Sequence, residues 1–207
     1  MIFTYGDSHA RLFVFDYLSH KNPELYKIHM RGGALAFNSL KYIEETINNL
    51  KTAAENDWII LSYGEVDMRA QVHKQVIANN MTYEQVIDGI LQNYMAAVKI
   101  ISDTYSKTKI SLLNAFPAKK DPFVANPYVK GAWEFQGTDQ ERKTYTEYFN
   151  LHLKQLCSIN NYLFFDIYDK IKNNEGYLID AYTDGTSHLR WQECDSIYTD
   201  FINLHIL

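Results

Sequence analysis

The polar segments of this chain that can do chemistry are Gly6-Asp7-Ser8-His9, Arg31-Gly32-Gly33, Gly64-Glu65-Val66-Asp67-Met68-Arg69 and Asp184-Gly185-Thr186-Ser187-His188. A serine hydroxyl becomes a nucleophile when a histidine can take its proton. A carboxylate then fixes the histidine tautomer and stabilises the imidazolium that forms. Ser8, His188 and Asp184 supply those types in that chain order. A serine between a strand and a helix start sits among unpaired N–H groups, and its own N–H can hold an oxyanion. A glycine at 32 or 33 can bring a second N–H close, because it lacks a Cβ. The chemistry these groups would perform together is acyl transfer from an ester or a similar carbonyl.

Each residue also has a plainer reading. Ser8 can simply cap the first helix. Asp7 reads as structural, bonding loop N–H groups, and His9 as a first-turn residue lining the site or facing solvent. Asp184-Gly185 spells a turn, and His188 can be a surface loop histidine. Glu65, Asp67 and Arg69 can contact substrate or form an ion-pair cluster that holds their loop. Gly32-Gly33 can be a tight turn with no donor role.

The elements that must position these segments follow from periodicity. Met1–Tyr5 reads as a strand, Ser8 to about His20 as a helix, and Leu25–Met30 as a second strand. Asn38 or Ser39 is placed to cap a helix running to about Ala54. Trp58–Tyr63 is a buried strand. Thr82 with Gln85 forms a capping box before a helix to about Tyr105. Lys109–Phe116 is a strand, Gln140–Ile159 a helix and Tyr162–Tyr168 a fifth strand. A helix from Trp191 to about Leu204 closes the chain. The alternation predicts an α/β fold: a three-layer sandwich with a mainly parallel five-stranded sheet. Polar segments that follow the strands then gather at one edge, where such sheets bind ligands. The expected organisation is one domain over 1–207, with a Pro/aromatic-rich loop insertion at about 118–138. A loop of that length inside a compact domain is often functional; this one reads either as a substrate lid, with Trp133 and Phe135 stacking on a sugar ring, or as packing over the sheet edge.

Composition excludes several classes. The chain has 207 residues, 46% hydrophobic and 22% charged, which fits a folded globular protein. A net charge of −5 with no basic block argues against nucleic-acid partners. No apolar run approaches a membrane span, so no membrane partner is expected. Cys157 and Cys194 are too few for a disulfide framework or a cysteine zinc site. With no secretory signal at the start, the expected location is cytoplasmic. Phosphate-binding glycine motifs and His-Glu-x-x-His are absent.

The blocks resemble the SGNH (GDSL-like) hydrolase family, most specifically through Gly6-Asp7-Ser8 after the first strand. The resemblance spans nearly the whole chain in strand order and implies a flavodoxin-like fold. It implies that Ser8 is the nucleophile, His188 the general base and Asp184 its orienting acid. Oxyanion donors would be the N–H groups of Ser8 and Gly33. Gly32, Glu65, Asp67, Arg69 and Trp133 would contact substrate, and no metal or cofactor is implied. Two departures stand out. The family's Gly-x-Asn-Asp block appears here as Gly64-Glu65-Val66-Asp67, with valine at the asparagine that donates to the oxyanion; Arg69 offers a replacement charge. The form Gly-Glu-Val-Asp-x-Arg resembles a divergent branch whose members accompany glycan-modifying genes. The usual last block is Asp-x-x-His, whereas Asp184 and His188 are four apart. The expectation is a serine-dependent carboxylester hydrolase that removes a small O-acyl group from a saccharide or similar small substrate. An acyltransferase with the same triad and a catalytically weak glycan-binding domain are the alternatives, followed by a nucleotide-binding module.

Overall fold

The structure is a computed structural model that describes residues 1–11, 13–120, 135–185 and 187–207. In chain order the elements are β1 (Ile2–Gly6), α1 (Ser8–Arg11), α2 (Phe13–Lys21), β2 (Tyr26–Met30), α3 (Ile43–Leu50), β3 (Trp58–Ser62), α4 (Val72–Asn79), α5 (Tyr83–Thr104), β4 (Lys109–Leu113), α6 (Asp139–Asn160), β5 (Leu163–Phe165), α7 (Tyr168–Ile171) and α8 (Trp191–His205). A 3₁₀ turn over Ala36–Tyr42 leads into α3, and a π-helical turn over Asp67–Gln71 leads into α4.

The five strands form one parallel sheet in the order β2-β1-β3-β4-β5. Both faces are buried, which is why β3 opens on the unbroken apolar run WIIL before Ser62. Its side chains alternate between two cores. Ile59 and Leu61 pack with Phe3, Tyr5 and Leu112 against α5 and α6, through Ile90, Tyr94, Phe149 and Leu153. Ile60 packs with Ile2, Leu113 and Phe165 against α2 and α8, through Phe15, Tyr198 and Ile202. Each such side chain contributes about 1.5–3 kcal/mol when fully buried. The chain winds outward in both directions from β1, so the switch point lies between β1 and β3 at the carboxyl edge. The described β1–β3 pair ends in register at Gly6 and Ser62.

The predicted strand order is the observed one and the expected helices are present with shifted boundaries, while α4 and α7 are additions and the first expected helix is split into α1 and α2. The capping box on α5 is complete: Gln85 N–H donates to Thr82 Oγ1 at 3.3 Å and Thr82 N–H to Gln85 Oε1 at 3.0 Å. A second box, Thr138 with Glu141, starts α6. Neither Asn38 nor Ser39 caps a helix. Helical turns already begin at Ala36, and the Ser39 hydroxyl donates back to the Ala36 carbonyl at 2.8 Å. The expected strand Lys109–Phe116 stops at Leu113, because the Asn114 side chain turns the backbone: its Oδ1 accepts from Ile167 N–H and its Nδ2 donates to the Ala115 carbonyl. The expected strand Tyr162–Tyr168 is likewise cut to Leu163–Phe165, with Tyr168 opening α7. Among the described residues no helix is long and apolar enough to cross a membrane.

Candidate functional site

The site begins where β1 leaves the sheet. A Cβ at Gly6 would lie 1.9 Å from the Ser62 carbonyl oxygen, so only glycine fits against the end of β3. Asp7 N–H donates to that same carbonyl at 3.1 Å. This contact places Ser8 at the first residue of α1. Thr4 fixes the helix from below, its hydroxyl donating to the Ala10 carbonyl at 3.1 Å.

His188 arrives from the other end of the chain. Its Nε2 lies 3.0 Å from Ser8 Oγ. Its Nδ1 lies 3.5 Å from Asp184 Oδ2. The loop that carries both is pinned: Asp184 N–H donates to the His188 carbonyl at 2.9 Å, and Thr183 bridges Leu189 in antiparallel fashion. Leu189 is fully buried in the core under α8, which anchors the loop. Burial, followed by the neighbouring His9, holds the His188 imidazole below its ordinary range, against the opposing pull of Asp184 and Glu65. The ring is therefore neutral near pH 7, the form that accepts a proton.

Beneath this pair lies a buried ionic cluster. Asp7 Oδ1 accepts from His9 N–H at 2.8 Å and meets His9 Nδ1 at 3.0 Å. His9 Nε2 faces the Ser187 carbonyl at 3.3 Å and Glu65 Oε2 at 3.5 Å. The His9 ring stacks on His188 with centroids 4.9 Å apart and meets Phe116 edge-on. Arg69 donates to Glu65 through Nε at 2.7 Å and Nη2 at 3.3 Å. Burial opposes the Glu65 charge, but Arg69 and His9 outweigh it and hold the carboxyl below its usual range.

The other expected site residues fall into distinct places. Glu65 and Arg69 adopt the ion-pair reading and line a small crevice with Phe116, Lys119 and Phe135. Arg69 pairs with Glu65 through Nε and Nη2. Asp67 is a correction to the expected substrate contact. It is fully buried, and its two oxygens accept from Ala36 N–H at 2.8 Å and Phe37 N–H at 3.1 Å. It ties the π turn to the loop after β2 and so holds that loop in place. Val66 is buried and brings no donor. Gly33 has φ +70°, a left-handed conformation that favours glycine, whereas a Cβ at Gly32 would meet nothing. Trp133 and the 121–134 part of the expected loop lie outside the described residues. Phe135 is described, and its ring lies against the guanidinium groups of Arg69 and Arg142.

His9 is the site residue that sequence reasoning underrated. It faces the site from below, at 2% exposure, and does not face solvent. The one local signal is its Asp7-x-His9 spacing, which lets the carboxylate accept the His9 N–H. Among the described residues no cluster of three or more His, Cys, Asp or Glu is arranged to hold a metal ion.

No family model and no curated protein matches the chain. Solved structures do share its fold. A GDSL-like lipase from Bacteroides thetaiotaomicron is similar at 17% identity and TM-score 0.64, covering 99% of this chain and 86% of its own. A phospholipase A1 from Streptomyces albidoflavus is 11% identical at TM-score 0.61, covering 98% of each chain. A catalytic mutant of an acetylxylan esterase from Geobacillus stearothermophilus is 16% identical at TM-score 0.61, covering 98% of this chain and 92% of its own. At these identities the likeness establishes a common fold.

Proposed function

We propose that this chain is a serine-dependent carboxylester hydrolase that removes a small O-acyl group from a saccharide or similar small substrate. The observation that carries the reading is the 3.0 Å approach of His188 Nε2 to Ser8 Oγ, made by residues 180 apart in sequence. A capping serine needs no such partner. Shared fold with an acetylxylan esterase and two lipolytic enzymes supports the ester-hydrolase class. The acetylxylan esterase supports a saccharide substrate. Cys157 and Cys194 are buried free thiols, which suits a reducing compartment and supports a cytoplasmic location.

The reaction follows from the geometry. Ser8 Oγ attacks the acyl carbonyl carbon as His188 Nε2 takes the hydroxyl proton. The carbonyl oxygen gathers negative charge and is held by the N–H groups of Ser8 and Gly33. Collapse breaks the bond to the alcohol, which leaves with the proton from His188 and so completes an acyl-Ser8 intermediate. Water then attacks that acyl group, giving one proton to His188. The carboxylic acid departs as His188 returns the proton to Ser8. Asp184 orients His188 throughout and stabilises its transient positive charge. A base of this kind contributes about 10²–10⁴ in rate. With valine at 66, the oxyanion hole has two prongs.

The test is labelling with a fluorophosphonate, read by intact mass. Wild type is expected to take a single adduct. Ser8→Ala should take none, and His188→Ala should react at least about 10²-fold more slowly. A wild-type protein that folds and takes no adduct overturns the hydrolase reading. Release of acetate from acetylated oligosaccharides, set against release from simple aryl acetates, then tests the substrate class.

A further inference from the structure

His9 is the least expected member of the site, because both of its ring nitrogens face acceptors. Nδ1 meets Asp7 Oδ1 at 3.0 Å. Nε2 meets the Ser187 carbonyl at 3.3 Å and Glu65 Oε2 at 3.5 Å. A neutral imidazole has one donor and one acceptor nitrogen. Either neutral tautomer would therefore set a lone pair against an oxygen at a ring that is 2% exposed. Only the doubly protonated ring satisfies both sides.

The surrounding charges require the same state. The groups facing His9 are Asp7 from the β1–α1 turn, Glu65 and Arg69 from the segment after β3, and His188 from the loop before α8. Asp184 lies on the far side of His188. Two carboxyl groups, of Asp7 and Glu65, act on the ring against one guanidinium, that of Arg69. A neutral His9 would leave a buried excess of negative charge, which is costly. Asp7 Oδ2 sharpens the need, since it is buried without a hydrogen-bond partner among the described residues. Burial disfavours charge on His9, yet Asp7 and then Glu65 outweigh it and raise its proton affinity above the ordinary.

We propose that His9 is a permanent imidazolium that grips the Ser187 carbonyl, and so positions His188 against Ser8, while its charge keeps His188 an unprotonated base. This builds on the reading of Ser8 and His188 as nucleophile and base. Two imidazoles stacked at 4.9 Å cannot both hold a proton cheaply. The buried ring owns the proton, so the outer one is ready to receive another from Ser8. The transient double charge is then relieved by Asp184 and Glu65. His9 touches neither substrate nor the reacting atoms and acts through His188.

The experiment is a pH titration of the intact, ¹⁵N-labelled protein by long-range ¹H–¹⁵N correlation NMR of its histidine rings. His9 is expected to keep two protonated nitrogens from pH 5 to pH 8, while His188 titrates below the ordinary histidine range. A neutral His9 tautomer at pH 7 overturns the proposal and needs no variant. In His9→Gln the cation is gone, and the His188 midpoint should rise by about one pH unit, a tenfold gain in proton affinity. The acid limb of the fluorophosphonate labelling rate should move up with it. His9→Lys, which restores a cation with donors only, should return the midpoint toward wild type. A His188 midpoint that is the same in wild type and a folded His9→Gln protein also overturns the proposal. Neither NMR readout depends on turnover. Failure of Ser8 to label therefore removes the hydrolase reading while leaving the charge state of His9 and its effect on His188 standing, and a neutral His9 removes this proposal alone.

Discussion

The amide N–H of Asp184 donates to the carbonyl of His188 at 2.9 Å, closing the loop that carries both side chains. The four-residue spacing is thus accommodated by a backbone bond, and the Asp184 carboxylate still lies 3.5 Å from His188 Nδ1. The closing bond is made by the main chain and does not need the carboxylate. Asp184→Ala should lower kcat for an aryl ester by about 10²–10⁴. Its unfolding free energy, from urea titration, should stay within about 0.5 kcal/mol of wild type, the range of an ordinary surface substitution. A variant with undiminished kcat would remove Asp184 from the mechanism.

The two neighbouring glycines make opposite predictions. Gly33 sits at φ +70°, and a side chain there is strained. Gly33→Ala should cost about 1 kcal/mol or more and slow acylation, since the turn must shift the N–H assigned to the oxyanion. Gly32 has open space around a built Cβ. Gly32→Ala should leave both stability and labelling rate close to wild type. Paired thermal unfolding and labelling rates decide between them, and equal effects from the two substitutions would contradict the assignment to Gly33.

Asp67 predicts a pH dependence of stability. Burial, opposed by the Ala36 and Phe37 N–H groups and reinforced by Asp7, pushes its carboxyl up to about 7 from an ordinary 3.8. Below about 3.8 the group is protonated in both folded and unfolded chains, and its full contribution is present. As pH rises toward 7, the unfolded chain releases the proton while the native state keeps it, so that contribution is lost. The amide of an Asp67→Asn variant cannot titrate, and its NH₂ meets a backbone donor, costing about 1–3 kcal/mol. The stability advantage of wild type over this variant should be largest near pH 4 and shrink by pH 8. Urea midpoints at pH 4, 6 and 8 measure it, and a gap that widens with pH would refute the raised carboxyl.

What was legible in the sequence had local causes. The run WIILS in β3 announces a strand buried on both faces, and Thr82 with Gln85 announces a helix start because the two side chains bond each other's backbone. Ser8, Asp184 and His188 were legible as types, and the parallel sheet brings their segments to one edge. Features made by distant backbone were not legible. Asp67 reads as a site carboxylate until Ala36 and Phe37 are seen donating to it. His9 reads as a first-turn residue until Ser187, 178 residues away, is seen on its ring. The helix Val72–Asn79 escaped because its apolar face is weak, with Ile77 largely exposed. The apolar pattern of β4 runs on through Ala115 and Phe116, while the side chain of Asn114 ends the ladder.

Arg142 fixes both flanks of the 121–134 segment. It is 2% exposed. Its Nη1 donates to the Gly137 carbonyl at 2.7 Å and its Nη2 to the Lys119 carbonyl at 3.5 Å. It also pairs with Asp139 and lies 4.9 Å over the Phe135 ring. One buried side chain from α6 therefore holds Lys119 and Gly137 at fixed positions beside the Glu65–Arg69 crevice. Arg142→Met keeps most of the buried stem and removes every one of those bonds. The two carbonyls lose their partner, which should cost about 1–3 kcal/mol. Chymotrypsin should then cut the 118–138 stretch several-fold faster at temperatures well below unfolding. If this stretch contacts substrate, KM for an acylated saccharide should rise while kcat for a small aryl ester changes little, because Ser8, His188 and Asp184 are untouched. Faster cutting with an unchanged KM would place the stretch outside substrate recognition. Unchanged cutting would mean that the flanks are held by something other than Arg142.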